Sequence, residues 1–458
     1  MADETATAAV QALSLQAGAA SRDISPSKPT TLYGYPHVER VSTGVHDPLL
    51  ATVIVLKNVY STLVLASLDL LLIEPDFARQ LRKSVATVVG CEESEVFIGC
   101  THTHSGPVTS RLFGWQDDKS LPAPEPAYLE LVSAQLVAAA TAAAESVNPA
   151  ELAWASADAT GVGGNRLSQD GITDPECGIL AIRSSHDHKM LAMAMNYGMH
   201  PTVMHEDSTL VSADFPFFTR LHIQEHLEAP IPIVYQTGPS GNQSPRRFVD
   251  SQTFEEAERL GRKLGAAVCS SLDEMAEEAW QGTAHLDGRI SEVELPRNRI
   301  LPLPVAERLL ANCQEHYKKL QHDQAPRAEI RTAECTIFGA EGTVALARSE
   351  ARGELDAKLR NYRLVEVQLL QIGEVCLIGL PGECFTEYGL EMKQRARRRT
   401  FVVSLVNGDL QGYIVTPEAA DAGGYEATNA VFSPESGRIL VDTALDLINR
   451  LHTAPQAN

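Results

Sequence analysis

Short apolar runs that end in glycine, proline or polar residues recur along this chain, and each predicts a buried strand. The predicted strands cover residues 51–56, 62–73, 96–102, 151–157, 178–183, 190–197, 231–236, 364–371, 374–380 and 401–405. Longer amphipathic stretches predict helices. These cover residues 75–89, 127–147, 253–280, 304–321, a segment from about 385, and residues 435–452. Strands interspersed with helices indicate an α/β (α+β) layered sandwich around a mixed β-sheet, with the strand order left open.

Length and composition fit a globular protein with one large domain. The chain has 458 residues, of which 44% are hydrophobic and 21% charged, without a long linker or a repeat. We expect residues 1–17, which are rich in Ala and Thr, to be flexible, and residues 18–455 to form a single domain. Oligomeric state cannot be read from the sequence.

The charge and the chain ends limit the partners. A net charge of -21 disfavours binding to nucleic acid or to an anionic membrane surface, so we expect a small-molecule substrate. Without an apolar run of about 20 residues, stable membrane insertion is not expected. The acidic N-terminus lacks the features of a signal peptide, which predicts a cytoplasmic protein. Eight cysteines without a C-x-x-C pair are expected to be reduced thiols.

Two histidines follow one of the predicted strands directly. The apolar run 96–100 leads into T-H-T-H-S-G-P, which contains His102 and His104. If the strand extends through Thr103, both imidazoles point to the same face of the sheet. Imidazole is the commonest metal ligand near neutral pH, so the pair indicates a metal or catalytic site. The alternative is two core histidines bonded to the backbone.

Other strand ends carry residues that suit the same site. His200 and Glu383 each follow a predicted strand, and Tyr413 lies in the predicted loop 407–429. Two imidazoles and one carboxylate, with a position left for water, are typical of catalytic zinc, and a tyrosine is a weaker fourth ligand. Structural alternatives remain, because Glu383 can cap the following helix and Tyr413 can pack in its loop.

At these residues the chain resembles the neutral/alkaline ceramidase family, specifically its N-terminal catalytic domain. The resemblance extends from about Gly18 to about His452, and its most specific element is T-H-T-H-S-G-P at 101–107. The other shared elements, in the family's order, are Asn165-Arg166, His200-Pro201-Thr202, Ser244-Pro245, Pro381-Gly382-Glu383, Tyr413 and Tyr425.

The resemblance implies a zinc site with four ligands. His102, His200, Glu383 and Tyr413 would hold one Zn²⁺ ion. Zinc lowers the pKa of its bound water to about 7 and polarises a carbonyl group, which suits hydrolysis at neutral pH.

The resemblance also implies four catalytic residues. His104, Arg166 and Tyr425 would line the site and stabilise the amide oxygen as negative charge develops on it. His104 or Tyr425 would protonate the leaving amine. Ser244 corresponds to a serine that the family places near the substrate.

The implied activity is zinc-dependent hydrolysis of a linear amide in an N-acyl compound. Family members that cleave ceramide carry a further C-terminal immunoglobulin-like domain, for which this chain is too short. With its acidic surface and 6% aromatic residues, the chain favours a smaller soluble N-acylated compound at least as much as a ceramide-like lipid. Hydrolysis of an ester, lactone or glycoside on the same fold is an alternative.

Two further classes of function compete with this hypothesis. A serine hydrolase would use Ser240 or Ser244, although G-P-S-G departs from the G-x-S-x-G pattern. A non-catalytic metal-binding protein would keep the fold and close the metal site. In addition, His46, Asp47 or Asp214 could bind a second metal ion, although a structural role is favoured.

Overall fold

Two β-sheets lie face to face in the computed structural model, which describes residues 13–451. The strands, in chain order, are β1 (Gln16–Asp23), β2 (Gly44–Val45), β3 (Leu50–Lys57), β4 (Thr62–Leu68), β5 (Val96–Cys100), β6 (Asn148–Asp158), β7 (Gly164–Asn165), β8 (Glu176–Ser184), β9 (Met190–Tyr197), β10 (Leu210–Val211), β11 (Ile233–Thr237), β12 (Gln243–Ser244), β13 (Leu286–Val293), β14 (Val365–Ile372), β15 (Val375–Gly379), β16 (Glu383–Cys384), β17 (Arg399–Val403) and β18 (Tyr413–Ile414).

The first sheet has eight strands in the order β11-β9-β8-β6-β1-β3-β4-β5, and the second has four in the order β13-β14-β15-β17. Both sheets are mixed. Parallel pairing joins β4 to β5, β9 to β11 and β15 to β17, and the other neighbours are antiparallel. The predicted class, a layered sandwich around a mixed β-sheet, is confirmed.

Eleven α-helices occur among residues 13–451. They are α1 (Pro75–Val89), α2 (Pro126–Glu145), α3 (Phe215–His226), α4 (Phe254–Asp273), α5 (Leu303–His322), α6 (Arg327–Ala351), α7 (Leu355–Lys358), α8 (Thr386–Arg395), α9 (Pro417–Ala422), α10 (Tyr425–Thr428) and α11 (Glu435–Asn449). Short 3₁₀ turns cover Glu93–Glu95, Phe113–Trp115, Glu277–Ala279 and Leu359–Tyr362.

The layers are held by apolar cores on both sides of each sheet. Between the sheets lie Ile54, Phe97 and Leu180 from the first and Leu370 and Phe401 from the second. Helices α1 and α2 cover one half of the outer face of the first sheet, and α3 and α4 cover the other half. Helices α8 and α11 cover the outer face of the second sheet. Burial of apolar surface on four faces therefore fixes the sheets and the ends of their strands.

Helix α2 differs from the expectation that no segment is apolar enough for a membrane. Within the described part of the chain it is the single helix that could cross a membrane by length and composition alone. In the fold it packs against β1 and β3. Its residues Val132, Leu136 and Ala140 are fully buried in the core beneath the first sheet.

Helices α5 and α6 form an antiparallel pair inserted between β13 and β14. We call this pair (residues 303–351) the roof hairpin, because it covers one side of the site described below. Its helix α6 packs on α10 and on the turn at 113–115. Polar contacts attach it to the rest of the molecule. His37 bonds Glu341 at 2.7 Å, and Arg331 bonds Glu206 at 2.9 Å.

Most predicted elements are present, with shifted ends. The predicted strand 62–73 ends at Leu68, and the predicted helix 253–280 ends at Asp273. The predicted loop 407–429 contains β18, α9 and α10. Strands β1 and β13 and helices α3, α6 and α7 were not predicted, nor were the two-residue strands β2, β7, β10, β12 and β16. Strand β1 begins at Gln16, before the expected start of order at Gly18, while residues 1–12 and 452–458 lie outside the described residues.

Candidate metal centre and active site

The ends of three strands from both sheets are joined by hydrogen bonds. The hydroxyl of Thr237, at the end of β11, donates to the carbonyl of Thr101 after β5 at 2.8 Å. The amide of Ser404, after β17, donates to the carbonyl of Thr237 at 2.8 Å. Loops that follow β5, β11 and β17 therefore emerge side by side, and they carry or support the predicted site residues.

His102 is held by the main chain that follows β4. Its amide donates to the carbonyl of Leu70 at 2.9 Å, and its Nδ1 donates to the carbonyl of Leu71 at 2.8 Å. Strand β5 ends at Cys100, and His102 has a φ of 69°, a left-handed conformation that is rare for histidine. The predicted strand 96–102 therefore ends two residues early, and the condition that it extend through Thr103 is not met.

The two histidines after β5 still approach each other, because the chain turns after Cys100 instead of alternating as a strand. The ring centroids of His102 and His104 are 5.0 Å apart. The Nδ1 of His104 donates to the carbonyl of Gly34 at 3.0 Å. The loop geometry, not strand alternation, brings the imidazoles together.

His200 arrives from the other half of the first sheet, three residues after β9. Its Nδ1 donates to the carbonyl of Ser240 at 2.8 Å. In all three histidines a backbone carbonyl thus accepts the Nδ1 proton, so that the Nε2 atom of each ring faces inward.

Glu383, on β16, completes the convergence. Its Oε2 lies 3.1 Å from the Nε2 of His200 and 3.2 Å from the Nε2 of His102, and the two Nε2 atoms are 3.1 Å apart. Burial alone would raise the pKa of Glu383, but His102 and His200 lower it well below its usual value. Burial, together with Arg166 and His102, lowers the pKa of His200 to about 3. The carboxylate is therefore charged and His200 is neutral at neutral pH.

This donor set fits a divalent cation. The Nε2 atoms of two imidazoles and a buried carboxylate lie within about the distance of a hydrogen bond of one another, an arrangement that a divalent cation can satisfy. His104 belongs to the same cluster, since ligand atoms of His102, His104 and His200 lie within 4.8 Å of one another. The Nε2 of His104 is buried without a hydrogen-bond partner.

Two overlapping sets of ligands are thus present. One contains His102, His200 and Glu383, as expected from the sequence, and the other replaces Glu383 by His104. Burial, followed by the nearby His102 and His200, lowers the pKa of His104 well below its usual value. His104 is therefore neutral at neutral pH, and its Nε2 can accept a proton or bind a cation.

Arg166 lies beside the histidines. Its Nη1 is 3.4 Å from the Nε2 of His200, and its Nε donates to Glu426 at 2.7 Å. Its guanidinium carbon lies 5.3 Å from the centre of the Tyr413 ring. Although burial alone would lower the pKa of Arg166, Tyr413 and Glu426 raise it. The Nη2 atom is buried without a partner, so this cation keeps one donor for another molecule.

Two tyrosines close the group. Tyr413 pairs with Glu383 across the short β16–β18 sheet, and its ring meets that of Tyr425 edge to face at 5.7 Å. Burial, followed by the charge of Glu383, raises the pKa of both phenols well above the ordinary value. Both hydroxyls therefore carry their protons at neutral pH.

A small cavity opens on one side of this cluster, with a volume of about 30 Å³. Polar groups of the cluster and apolar side chains share its wall. The lining residues are Leu71, Leu72, His102, His104, Leu112, Gly114, Trp115, Leu346, Glu383, Gln411, Gly412, Tyr413, Tyr425 and Asn429. Leu346 belongs to the roof hairpin, so this insertion closes part of the cavity. A volume of this size holds about two water molecules or a small organic group.

The chain is similar to known proteins in part of its sequence and in its fold. Residues 15–229, just under half of the chain, match the family described as neutral/alkaline non-lysosomal ceramidase, N-terminal. The fold is similar to that of neutral ceramidase from Pseudomonas aeruginosa, with a TM-score of 0.74 and 17% identity, covering 97% of this chain and 76% of that one. A ceramidase complexed with C2 gives a TM-score of 0.73 and 18% identity, covering 97% and 77%. No curated protein sequence matches significantly.

The two serines of the competing hypothesis occupy different positions in this ceramidase-like fold. Ser240 contributes its carbonyl, not its hydroxyl, to His200. Ser244 lies on β12, which pairs with β7, and its Oγ accepts the amide of Arg246 at 3.3 Å. Among the described residues no hydrogen bond joins either hydroxyl to a histidine, the group that most often serves as base for a serine nucleophile.

The residues considered for a second metal make structural contacts. Asp47 accepts hydrogen bonds from the Ser212 hydroxyl at 2.6 Å and the Ala213 amide at 2.8 Å, and its Oδ2 lies 2.9 Å from Nδ1 of His46. Asp214 caps α3 by accepting the amide of Phe215. These contacts account for His46, Asp47 and Asp214 without a metal.

Sequence reasoning missed Glu426, Trp115 and the carbonyl groups that orient the histidines. Glu426 directly follows Tyr425 in the sequence. This neighbouring position was the one available sign that Glu426 lies near the site. Nothing in the side chains of Leu71 or Ser240 indicates that their carbonyls bind imidazoles. Those contacts depend on backbone positions set by the two sheets.

Proposed function

We propose that this chain is a zinc-dependent hydrolase that cleaves the linear amide of an N-acyl compound. The observation that supports this most is the convergence of the Nε2 atoms of His102 and His200 with the carboxylate of Glu383, at 3.1–3.2 Å, in a buried position beside an apolar cavity. The relation to the ceramidases supports the amide as the scissile bond. We also propose that residues 18–455 form one hydrolase domain, because the two sheets share one core.

His102, His200 and Glu383 would hold the zinc ion, and Tyr413 is the fourth ligand that the resemblance implies. Bound zinc would lower the pKa of water and polarise the acyl carbonyl, which are its usual contributions to hydrolysis. Main-chain carbonyls keep the imidazoles in the tautomer that binds metal. The protein therefore supplies a site that needs little rearrangement when the ion binds.

Hydrolysis adds the oxygen of water to the acyl carbon and breaks the C–N bond, whose electron pair leaves on nitrogen. Arg166 stabilises the oxygen that becomes negative, through the Nη2 donor that has no partner in the protein. Glu426 fixes the guanidinium from the opposite side. These two residues therefore act together, Arg166 on the substrate and Glu426 as its positioning residue.

The leaving nitrogen needs a proton to depart as an amine. Tyr425 carries its proton at neutral pH and lines the cavity, so it can donate a hydrogen bond there. His104 starts neutral with a free Nε2 and accepts a proton during the attack of water, which it then returns to nitrogen. The products are a carboxylic acid and a free amine.

The test is the metal content of purified wild-type protein and of His102→Ala, measured by elemental analysis. We expect about one zinc per wild-type chain and a loss in the variant, together with hydrolysis of N-acetylsphingosine or a small N-acetylated amine that a chelator abolishes. His226→Ala is the matched control, since His226 is a surface residue bonded to Asp273, and it should keep its zinc.

His104→Ala distinguishes the two ligand sets. Zinc retained with activity lost places His104 in proton transfer, whereas zinc lost in this variant makes it a ligand. Wild-type protein that neither contains nor takes up zinc would overturn the proposal.

A further inference from the structure

The segment that follows β11, residues 238–244, holds two of the predicted site residues through its main chain. The carbonyl of Ser240 accepts a hydrogen bond from Nδ1 of His200 at 2.8 Å. Two residues later, the carbonyl of Asn242 accepts one from the amide of Arg166 at 2.8 Å. We call this segment the carbonyl loop. Its position therefore sets the placement of a candidate metal ligand and of the cation beside it.

The carbonyl loop lies against the chain that leads from Glu383 into α8. The amide of Gly241 donates to the carbonyl of Cys384 at 2.9 Å, and the hydroxyl of Thr386 donates to the carbonyl of Pro239 at 2.8 Å. A Cβ atom on Gly241 would lie 2.7 Å from the carbonyl oxygen of Glu383, so the two segments approach as closely as only glycine allows. The carboxylate ligand is thus attached to the loop that holds the imidazole and the guanidinium.

Asn242 is the residue whose side chain fastens these two segments together. It is fully buried, and its Oδ1 accepts hydrogen bonds from the amide of Thr386 at 3.0 Å and from Nε2 of Gln243 at 3.1 Å. Its Nδ2 donates to the carboxylate of Glu387 at 2.8 Å. Helix α8 begins at Thr386, and its own N-cap residue, Phe385, makes no side-chain cap. Asn242 therefore supplies, from another part of the chain, the acceptor that the first amide of this helix needs.

The chemistry of this position requires an amide side chain. One short planar group has to accept from a backbone N–H and donate to a carboxylate, which asparagine does. An aspartate would place a second carboxylate beside Glu387, and an apolar side chain would leave the buried amide of Thr386 without a partner. The groups that contact His200 and Arg166 are carbonyls that any residue can supply. The need for a particular side chain in the carbonyl loop is thus concentrated at Asn242.

We propose that Asn242 is a positioning residue for the metal centre. Its side chain holds the carbonyl loop on α8, and the loop in turn fixes His200 and Arg166 relative to Glu383. This inference rests on the proposed zinc-dependent hydrolysis and adds a residue that acts through its neighbours. Groups that orient the ligands of a metal typically contribute about 10–100-fold to metal affinity or activity.

The first test compares Asn242→Ala with Asn58→Ala in the full-length protein. Asn58 is the matched control because it is also buried, donates once, to the carbonyl of Ala284 at 2.9 Å, and accepts twice, from the amides of Tyr60 and Ser61 at 2.8 and 2.9 Å. It lies between β3 and β4, at the end of the first sheet opposite to the end of β5. Both variants should lose unfolding free energy in urea. Only Asn242→Ala should weaken zinc binding, measured by competition with a chelator, and lower kcat on an N-acetylated substrate, each by about tenfold or more with KM little changed.

Exchanging the two hydrogen-bonding groups tests the contact directly. Asn242→Asp alone places two carboxylates within hydrogen-bond distance and should reduce zinc affinity and kcat as the alanine variant does. Adding Glu387→Gln supplies an amide that donates to the new carboxylate, while the amide of Thr386 keeps its acceptor. The double variant should recover most of the zinc affinity and kcat of the wild type. This pair of variants decides the question if Asn242→Ala does not fold.

A measurement without zinc separates this inference from the proposed function. In metal-free protein with isotope-labelled histidines, the Nδ1 proton of His200 should exchange slowly with water, because the carbonyl of Ser240 accepts it. Asn242→Ala should speed this exchange, and Asn58→Ala should leave it unchanged. Wild-type protein that binds no zinc would overturn the proposed function, while the exchange of this proton would still test the role of Asn242.

Three results would overturn the inference and leave the zinc hydrolase intact. The first is a folded Asn242→Ala variant with the zinc affinity, kcat and proton exchange of the wild type. The second is an equal loss of all three in Asn58→Ala, which would make the effect a general consequence of lost stability. The third is a double variant, Asn242→Asp with Glu387→Gln, that recovers neither zinc affinity nor kcat.

Discussion

Substituting Gly34 by alanine should disable the site through a residue that has no side chain to contribute. The carbonyl of Gly34 accepts the Nδ1 proton of His104, and the residue is buried with a φ of 113°. A Cβ atom placed on Gly34 would lie 2.5 Å from Nδ1 of His104 and 2.7 Å from its Cγ. Both values are well below ordinary van der Waals contact, so the imidazole has to move.

The size of the effect follows from these distances. Reaching ordinary contact requires a displacement on the order of 1 Å, and a misplacement of that size in an active site costs about a hundredfold in rate. A side chain at a positive φ costs about 1–3 kcal/mol of backbone strain. We therefore expect Gly34→Ala to lose about 2–3 kcal/mol of unfolding free energy and at least about a hundredfold in kcat.

Gly90→Ala is the control that introduces backbone strain at a positive φ without a steric clash against a site residue. Gly90 ends α1 with a φ of 76°, and a Cβ there would meet no atom within 4 Å. This variant should lose about 1 kcal/mol of stability and keep its activity. Urea unfolding and kcat on an N-acetylated substrate measure both quantities. Wild-type kcat in Gly34→Ala, or an equal loss of activity in Gly90→Ala, would refute the reasoning.

Three more outcomes are expected. Asp69→Asn leaves the buried Arg220, now bonded by two contacts of 3.0 and 2.7 Å, without its counter-ion, which should lower the unfolding free energy in urea by about 3–5 kcal/mol. Burial raises the pKa of Asp214 to about 7, so the folded state keeps a proton that the unfolded chain releases above about pH 4. Stability should therefore fall as the pH rises from about 4 to 7, and Asp214→Asn should flatten that fall in urea titrations at several pH values. Leu346→Ala should enlarge the cavity and raise kcat/KM for N-hexanoyl relative to N-acetyl substrates by about tenfold; an unchanged ratio would show that Leu346 does not limit the acyl group.

The parts of the fold that follow from local pattern were predictable. Apolar runs bounded by glycine, proline or polar residues predicted both strands of each parallel pair, which are β4 and β5, β9 and β11, and β15 and β17. Helix α6 was missed because Gly339 and Gly342 interrupt its pattern and reduce its helix propensity. Strand β13, at the edge of the second sheet, is only partly buried and includes charged residues such as Arg289, so its pattern is not that of a buried strand.

The candidate site was predictable at the level of residue types but not of geometry. His102, His200 and Glu383 were grouped because imidazoles and a carboxylate at strand ends suit one metal, and the structure brings them together. The reason given for His102 and His104 was wrong, because β5 ends at Cys100. The positive φ of His102 is held by hydrogen bonds to the carbonyls of Leu70 and Leu71, which lie about 30 residues earlier in the chain. The sequence around His102 does not indicate these contacts.

The carbonyls that orient the three imidazoles belong to the main chain, and this makes the site difficult to find by mutational scanning. Replacing Ser240 by almost any residue keeps the carbonyl that binds His200, so a scan would report this position as tolerant although it fixes a ligand. Gly34 would be the exception, since there any added side chain meets His104. Laboratory evolution of this chain can therefore vary the side chains of the cavity wall while the main-chain groups that orient the histidines stay the same.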